Sequence, residues 1–388
     1  MCYFAYLFWG LAALIFYVYF GYPLLLLLAT PFLTKEIKKK EIFPKISVVI
    51  VARNEEASIR ETLLSKIDQD YPKDRIEIVV ASDSSTDQTD EIVLEFAARY
   101  PEIPIRLVRQ EMWLGKTAAL NLAVAASTGE ILVFSDANSC YLQGAIRKLV
   151  RNFNDPKVGY VTGQMIYGVR QGNVVAEGCG FFMRYENRLR KLETSIGSIV
   201  GVDGGIDAMR RCLFEPIRAD LISDFMLPLK VASRGYRVVY EEEAVNQEEA
   251  LHDSRKEFRM RVRVIVRSFN AIVSQASLLN PFKHGFFSIQ LLTHKILRYL
   301  VPEFMILLYV ANIPLAWIDS RYRWLIAGQT LFYGMASLGP MWSSQKSRRS
   351  FLIAPYYFCL INAAAFWGLM RYLAGERQVT WTPRVGKS

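Results

Sequence analysis

From Met1 to Thr34 the chain carries no charged side chain, and the first charge is Lys35. A helix needs about 20 apolar residues to cross a bilayer, so this stretch is more than long enough. At about 1.5 Å per residue it would reach ~50 Å. It reads as a single tilted span with an overhang, or as a span broken near Gly21-Tyr22-Pro23, and the single span is the expectation. A cleaved signal peptide would need a basic start and a short apolar run ending in small residues, which this segment lacks.

Three further apolar stretches, Tyr299 to Ile318, Trp324 to Trp342 and Phe351 to Leu373, predict a C-terminal membrane bundle, giving four spans. Lys35, Lys38, Lys39, Lys40 and Lys45 follow the first span directly, which by the positive-inside rule places the central region in the cytoplasm. Lys346, Arg348 and Arg349 argue for the same side, whereas a tail with Arg371, Arg377, Arg384 and Lys387 would lie outside, against the rule. Glu303 is costly in lipid and should face a cavity or a partner, unless it lies at the interface. The expected division is a membrane segment 1–34, a cytosolic domain 35–250, interface helices 251–295, membrane helices 296–375 and a tail 376–388.

Composition narrows the class. With 52% of 388 residues hydrophobic, the chain is too apolar for a disordered or collagen-like protein. A net charge of +10 suits a membrane surface or an anionic ligand. Nucleic-acid binding is not expected, because no recognition motif appears and the basic residues flank apolar spans. The five cysteines are scattered without CxxC or Cys/His spacing, so neither a disulfide framework nor a zinc site is indicated.

Between about 46 and 250, short β-branched runs alternate with helical patterns, as in an α/β sheet. Ile46–Val51, Ile76–Ala81, Ile105–Val108, Ile131–Phe134 and Val158–Val161 are continuously apolar and read as strands buried on both faces. Glu55–Ile67, Asp87–Tyr100, Gly115–Ala126 and Gln143–Phe153 read as the crossover helices. Ligands of such sheets sit outside the carboxyl ends of the strands. Polar clusters stand there: Arg53-Asn54-Glu55-Glu56, Ser82 to Asp87, and Ser135-Asp136-Ala137-Asn138. An acid in such a place accepts hydrogen bonds from a base or ribose, and another holds a divalent ion against a diphosphate. Helix capping explains one such Asp; it explains three strand ends together poorly.

Farther on, Arg255, Arg259, Arg263 and Arg267 form an i, i+4 basic stripe, and Phe258, Val262, Ile265 and Phe269 an apolar one. Arg261 falls beside the apolar edge and needs an anion, which a diphosphate with bidentate geometry would supply. An amphipathic helix lying on anionic headgroups is the other reading of this segment.

These motifs carry a resemblance. Val48-Val49-Ile50 leading into Asn54-Glu55, then Asp83 to Asp87, Gly115-Lys116 with Ala119-Leu120-Asn121, Asp136-Ala137-Asn138, Asp203-Gly204-Gly205 leading to Met209-Arg210-Arg211, and Ser223-Asp224-Phe225 occur in that order. The set resembles the family 2 inverting glycosyltransferases. The membrane arrangement is similar to their synthase branch, which makes cellulose, chitin, hyaluronan and poly-N-acetylglucosamine. The resemblance implies a GT-A fold, a nucleotide-sugar-binding Rossmann-like mixed sheet. It implies a nucleotide-sugar donor, UDP-linked by expectation, a glycan or lipid-linked acceptor, and Mg²⁺ or Mn²⁺. It gives donor contacts to Asn54, Glu55, Asp83, Lys116, Asp136, Arg259 and Arg261, with Asp83 on the base. Asp136 and Asn138 would hold the metal, and the family more often has DxD, so the neutral Asn138 weakens that position. Asp224 matches the general base that deprotonates the acceptor hydroxyl.

Some readings stay open. Asp224 also suits a helix N-cap before Phe225–Ser233, and Asn138 a turn. Gly204 and Gly205 allow close approach of backbone to an acceptor, or form a tight turn. Trp113 suits acceptor stacking or the core. His252 suits a diphosphate or metal contact or a surface position. Where processive synthases carry QxxRW, this chain has Phe258, Arg259, Met260, Arg261 and Val262, so both Gln and Trp are missing. That favours transfer of one or a few sugars, with a polyprenyl phosphate acceptor or a noncatalytic sugar-nucleotide-binding subunit as alternatives. The expected location is a bacterial inner membrane, and so narrow a bundle leaves room for oligomer or export-subunit partners.

Overall fold

The computed structural model describes residues 2–168, 174–249, 253–342 and 353–377. His252, Lys346, Arg348, Arg349, Arg384 and Lys387 lie outside them.

The β-branched runs do form strands. They are β1 Ile46–Ala52, β2 Ile76–Asp83, β3 Ile105–Gln110, β4 Ile131–Asp136 and β6 Val158–Gly168, joined by β5 Cys140–Tyr141, β7 Ile206–Arg210 and β8 Arg237–Glu249. They make one eight-stranded mixed sheet in the order β3-β2-β1-β4-β7-β6-β8-β5. The first four in that order are parallel, and β7 runs antiparallel to both β4 and β6. Alternation along β1 divides the core: Ile46, Val48 and Ile50 pack toward helices Ile59–Ile67, Thr89–Arg99 and Ala145–Val150, while Val49 and Val51 pack toward Lys116–Ala126 and Ser223–Ser233. Because both faces are covered, β1 is buried at every position.

Three strands were not foreseen. The reason is clearest in β8, whose Glu241, Glu242, Glu243, Glu248 and Glu249 read as a solvated run. In the fold the buried Glu241 accepts from Lys39 at 2.8 Å, Asn152 at 2.9 Å and Arg151 at 3.1 Å, so tertiary partners neutralise it. The first crossover helix starts at Ile59 rather than Glu55, since Asn54 turns the chain at φ 51° and Glu55 to Ser58 form a turn.

The N-terminal stretch is helical from Cys2 to Leu33, as a single span requires, with a π-helical turn at Tyr17–Gly21 beside the anticipated break. Four spans were expected. Among the described residues two helices, Cys2–Leu33 and Ile353–Leu373, are long and apolar enough to cross a membrane, or three if Phe286–Leu297 and Val301–Ala316, bent by 61°, count as one. Ser320–Trp342 is a helix, but Gln329, Tyr333, Ser337 and its glycines dilute its apolar run. Glu303, expected to face a cavity or a partner, has neither carboxylate oxygen hydrogen-bonded among the described residues.

The span and the sheet domain are tied by a buried polar chain. Tyr22 donates to Glu193 Oε1 at 2.6 Å, His294 Nδ1 lies 2.8 Å from the same oxygen, and His294 Nε2 lies 3.3 Å from Glu186 Oε2. Arg298 closes it by pairing with Glu186. Tyr22 and Leu26 pack on Leu189 and Ile196 of helix Val174–Ile196.

Candidate active site

At the carboxyl ends of β1 and β2, Asn54 (φ 51°) and Ser84 (φ 57°) both hold left-handed backbone, which costs a residue with a Cβ roughly 1–2 kcal/mol. Each is over-determined by hydrogen bonds. Asn54 Oδ1 accepts from the Thr86 amide at 2.8 Å, and Arg53 donates to the Ser84 carbonyl at 3.1 Å. Asn54 is therefore a loop staple, and it is not among the residues lining the site cavity.

Asp83, expected to meet the donor's base, is held by three internal hydrogen bonds. Its carboxylate is fully buried and accepts from Gln110 at 2.7 Å, Leu114 N at 3.0 Å and Gly115 N at 3.1 Å. Burial raises its pKa, and the two amide bonds partly offset that. In this conformation it positions the loop that leads to Lys116. Trp113, expected to stack on an acceptor, lies half-exposed under the Arg53 guanidinium at 4.2 Å, away from the cavity.

A cavity of about 360 Å³ gathers the carboxylates Glu55, Asp136, Glu186, Asp203, Asp224 and Glu248, with Lys116 and Asn138. Asp136 stands at the end of β4 and pairs with Lys116, whose helix starts at Gly115 (φ 95°). Burial alone would lower the Lys116 pKa; the Asp136 and Asp224 carboxylates raise it overall.

Asp224 lies one residue inside helix Ser223–Ser233, whose N-cap is Ile222, so it does not cap that helix. Burial pushes its pKa up, Lys116 opposes, and Asp136 adds to the rise. Its Oδ1 has no hydrogen-bond partner among the described residues. Its Oδ2 faces Gly204 so closely that a Cβ there would sit 2.4 Å away, and Gly204 holds φ 82°. The Gly204→Ala variant suffers both a clash with the carboxylate and left-handed strain, and we expect at least a tenfold loss of kcat, read by steady-state turnover. Gly205 instead packs on β8, where a Cβ would lie 2.6 Å from Glu248 Oε1.

The basic stripe changes character along its helix, Ser254–Ser274: Arg255 and Arg259 are exposed, Arg263 is half-buried and Arg267 is buried. Arg259, expected to meet the donor, bonds the Arg255 carbonyl at 3.3 Å and is not among the cavity lining. Arg267 does line it, donating to Thr117 Oγ1 at 3.0 Å and to the carbonyl of Leu221, just before Asp224. Burial lowers its pKa to about 10. Arg261 reaches the cavity, but the anion it needs is internal: Glu257 at 2.8 Å, with the Tyr357 hydroxyl at 2.7 Å. The helix's apolar face packs within the protein, Val262, Ile265, Val266 and Phe269 on Ala364, Ala365 and Leu369.

Sequence reasoning missed Arg190 and Glu248. Arg190 holds Asp203 in a bidentate pair at 2.5 and 2.6 Å, both side chains buried, and also donates to Gly201 O at 3.1 Å. The pair joins a helix to the loop that directly follows it, thirteen residues apart, a spacing that no helix or strand period marks. The lining also includes Tyr19, Ile361, Asn362 and Ala365 from the first and last apolar helices, and His294, Lys295 and Arg298 beside them.

Residues 47–213 match the family model Glycosyl transferase family 2. The chain is 31% identical to "Probable glycosyltransferase YdaM" of Bacillus subtilis over 57% of its own length and 54% of the relative's. It is 27% identical to the beta-monoglucosyldiacylglycerol synthase of a Nostoc species over 45% and 38%. The matches thus span about half or less of these relatives. The mannosyltransferase PcManGT of Pyrobaculum calidifontis, solved with GDP-Man and Mn²⁺, superposes with a TM-score of 0.72 at 23% identity, covering 96% of this chain and 100% of that one. A mixed sheet with carboxylates at its strand ends and a structural neighbour along nearly its full length agree on a GT-A fold, and residues 47–213 of that fold match the model of glycosyltransferase family 2.

Proposed function

We propose that the protein is a membrane-embedded inverting glycosyltransferase, moving one or a few sugars from a nucleotide diphosphate sugar to a hydroxyl of a lipid or lipid-linked glycan. One observation carries this reading: a single cavity joins Lys116, Asp136 and Asp224 to Tyr19 on the first apolar helix and to Ile361, Asn362 and Ala365 on the last. A water-borne donor and a bilayer-borne acceptor meet there.

Asp224 takes the acceptor's hydroxyl proton as that oxygen attacks the anomeric carbon, and the nucleoside diphosphate departs from the opposite face. Its burial suits the role, because a carboxylate with a raised pKa accepts a proton more readily. Lys116 and Arg267 face the same space as fixed cations where negative charge grows on the leaving diphosphate. Excluding bulk water at this point limits hydrolysis of the donor.

The donor set suits a divalent ion that keeps most of its ligands from outside the protein. Among the described residues there is no cluster of three or more His, Cys, Asp or Glu able to hold a metal. Asp136 and Asn138 offer one carboxylate and one amide oxygen in one cavity, the hard-oxygen pairing that Mg²⁺ or Mn²⁺ takes alongside substrate phosphates and water. When bound, the ion neutralises the diphosphate. We expect chelation to reduce turnover at least tenfold and Mn²⁺ or Mg²⁺ to restore it; Asp136→Ala should abolish that metal response.

A second reading has one observation in its favour. Lys295 lines the cavity, its Nζ 5.6 Å from the centre of the Phe225 ring, a cation that suits a polyprenyl phosphate acceptor. Purified protein in nanodiscs, given UDP- and GDP-sugars with either metal and assayed by mass spectrometry, separates the readings. A glycosylated neutral lipid supports the first and a sugar on polyprenyl phosphate the second. No metal-dependent turnover with any donor overturns both, in favour of a binding subunit.

A further inference from the structure

Behind Asp224 lies a small void of about 20 Å³, lined by Lys116, Asp136, Tyr160, Gly204, Asp207 and Asp224 among others. Asp207 is the second residue of β7, 1% exposed, directly opposite Phe134 in the β4 ladder. A carboxylate in a strand interior, with apolar Ile206 and Ala208 on either side, serves no purpose in packing. Neither Asp207 Oδ1 nor Asp224 Oδ1 has a hydrogen-bond partner among the described residues, and both residues line this void, with Tyr160 and Thr162 as the hydroxyl neighbours of the Asp207 carboxyl. An unmade bond at a buried oxygen costs about 1–3 kcal/mol, so one partner shared by the two carboxyls would remove that cost twice. The volume suffices for a single water, which needs ~10–15 Å³ and two to four polar neighbours.

We propose that Asp207 is a positioning residue for the base: one water in this void donates a hydrogen bond to Asp207 Oδ1 and another to Asp224 Oδ1, holding the Asp224 carboxylate in its reactive orientation. This inference rests on the reading of Asp224 as base. The surrounding charges make the pairing workable. Burial pushes the Asp207 pKa up to about 8, and the Asp224 and Asp203 carboxylates add to the rise, so at neutral pH Asp207 is mostly uncharged and does not repel the base. The other titratable groups around it are Tyr160 on β6, Lys116 and Asp136.

Two variants test this. Asn at position 207 keeps the neutral charge and an oxygen for the water; Leu fills the void and expels it. Asp207→Asn should keep kcat within about threefold, while Asp207→Leu should lose about tenfold, with donor KM unchanged in both. The wild type should lose activity with an alkaline limb near the pH where Asp207 ionises, and Asp207→Asn should lack that limb. Equal losses in the two variants, or wild-type kcat in Asp207→Leu, would overturn the proposal. If Asp207→Leu does not fold, the Asp207→Asn profile decides: an unchanged alkaline limb overturns it. Should Asp224→Asn retain transfer, the base reading fails by itself, whatever the Asp207 variants do.

Discussion

Asp224→Asn should reduce kcat by about 10²–10⁴-fold, the range a general base contributes, while donor KM stays within a few-fold. The amide keeps the shape that Gly204 accommodates at close range, so a loss cannot be ascribed to collapse of the pocket. Asp224→Glu lengthens the side chain into that contact and should lose nearly as much. The pH profile gives an independent check. A base must be ionised to act, and burial raises the Asp224 pKa, so activity falls on the acid side at a pH above the ordinary aspartate value of about 3.9. Full transfer by Asp224→Asn would show that the proton leaves by another route.

The second large effect concerns stability. Asp203→Ala should destabilise the protein by about 3–5 kcal/mol, because it leaves the Arg190 guanidinium buried with its bidentate partner gone. Thermal unfolding in detergent reads the loss. The double variant Arg190→Leu with Asp203→Leu removes both charges and should recover most of the stability, since apolar pairs of similar volume often match a buried ion pair. It should not recover activity in full. Asp203 directly precedes Gly204, and the Arg190 bond to Gly201 O fixes the far end of the same loop. A double variant as unstable as Asp203→Ala would place the energy in packing.

Much of the fold was legible because it is written locally. Val48, Val49 and Ile50 have no face for water, so they could only be an interior strand, and the carboxyl-end rule then pointed to Asp136, whereas Asp224, inside a helix, was reached only through the family resemblance. What was hidden depends on partners far away in the chain. The acids of β8 look solvated until Lys39, Asn152 and Arg151 meet them. Arg261 is a different case: its anion, Glu257, lies four residues earlier on the same helix and was legible as an i, i+4 pair, and only the Tyr357 hydroxyl, about a hundred residues downstream, was out of local reach. Asp83 shows the reverse case. Its position at a strand end was right, but the loop after the neighbouring strand β3, which brings the Leu114 and Gly115 amides onto the carboxylate, cannot be read from composition.

The hydrogen-bonded chain from Tyr22 through Glu193 and His294 to Glu186 has a consequence for anyone cutting the protein down. A fragment beginning after Leu33 would leave Glu193 without its phenol donor and uncover the apolar face of Leu189 and Ile196. The N-terminal helix is thus a wall of the catalytic domain as well as its mooring, and no soluble truncation that omits it keeps the interior closed.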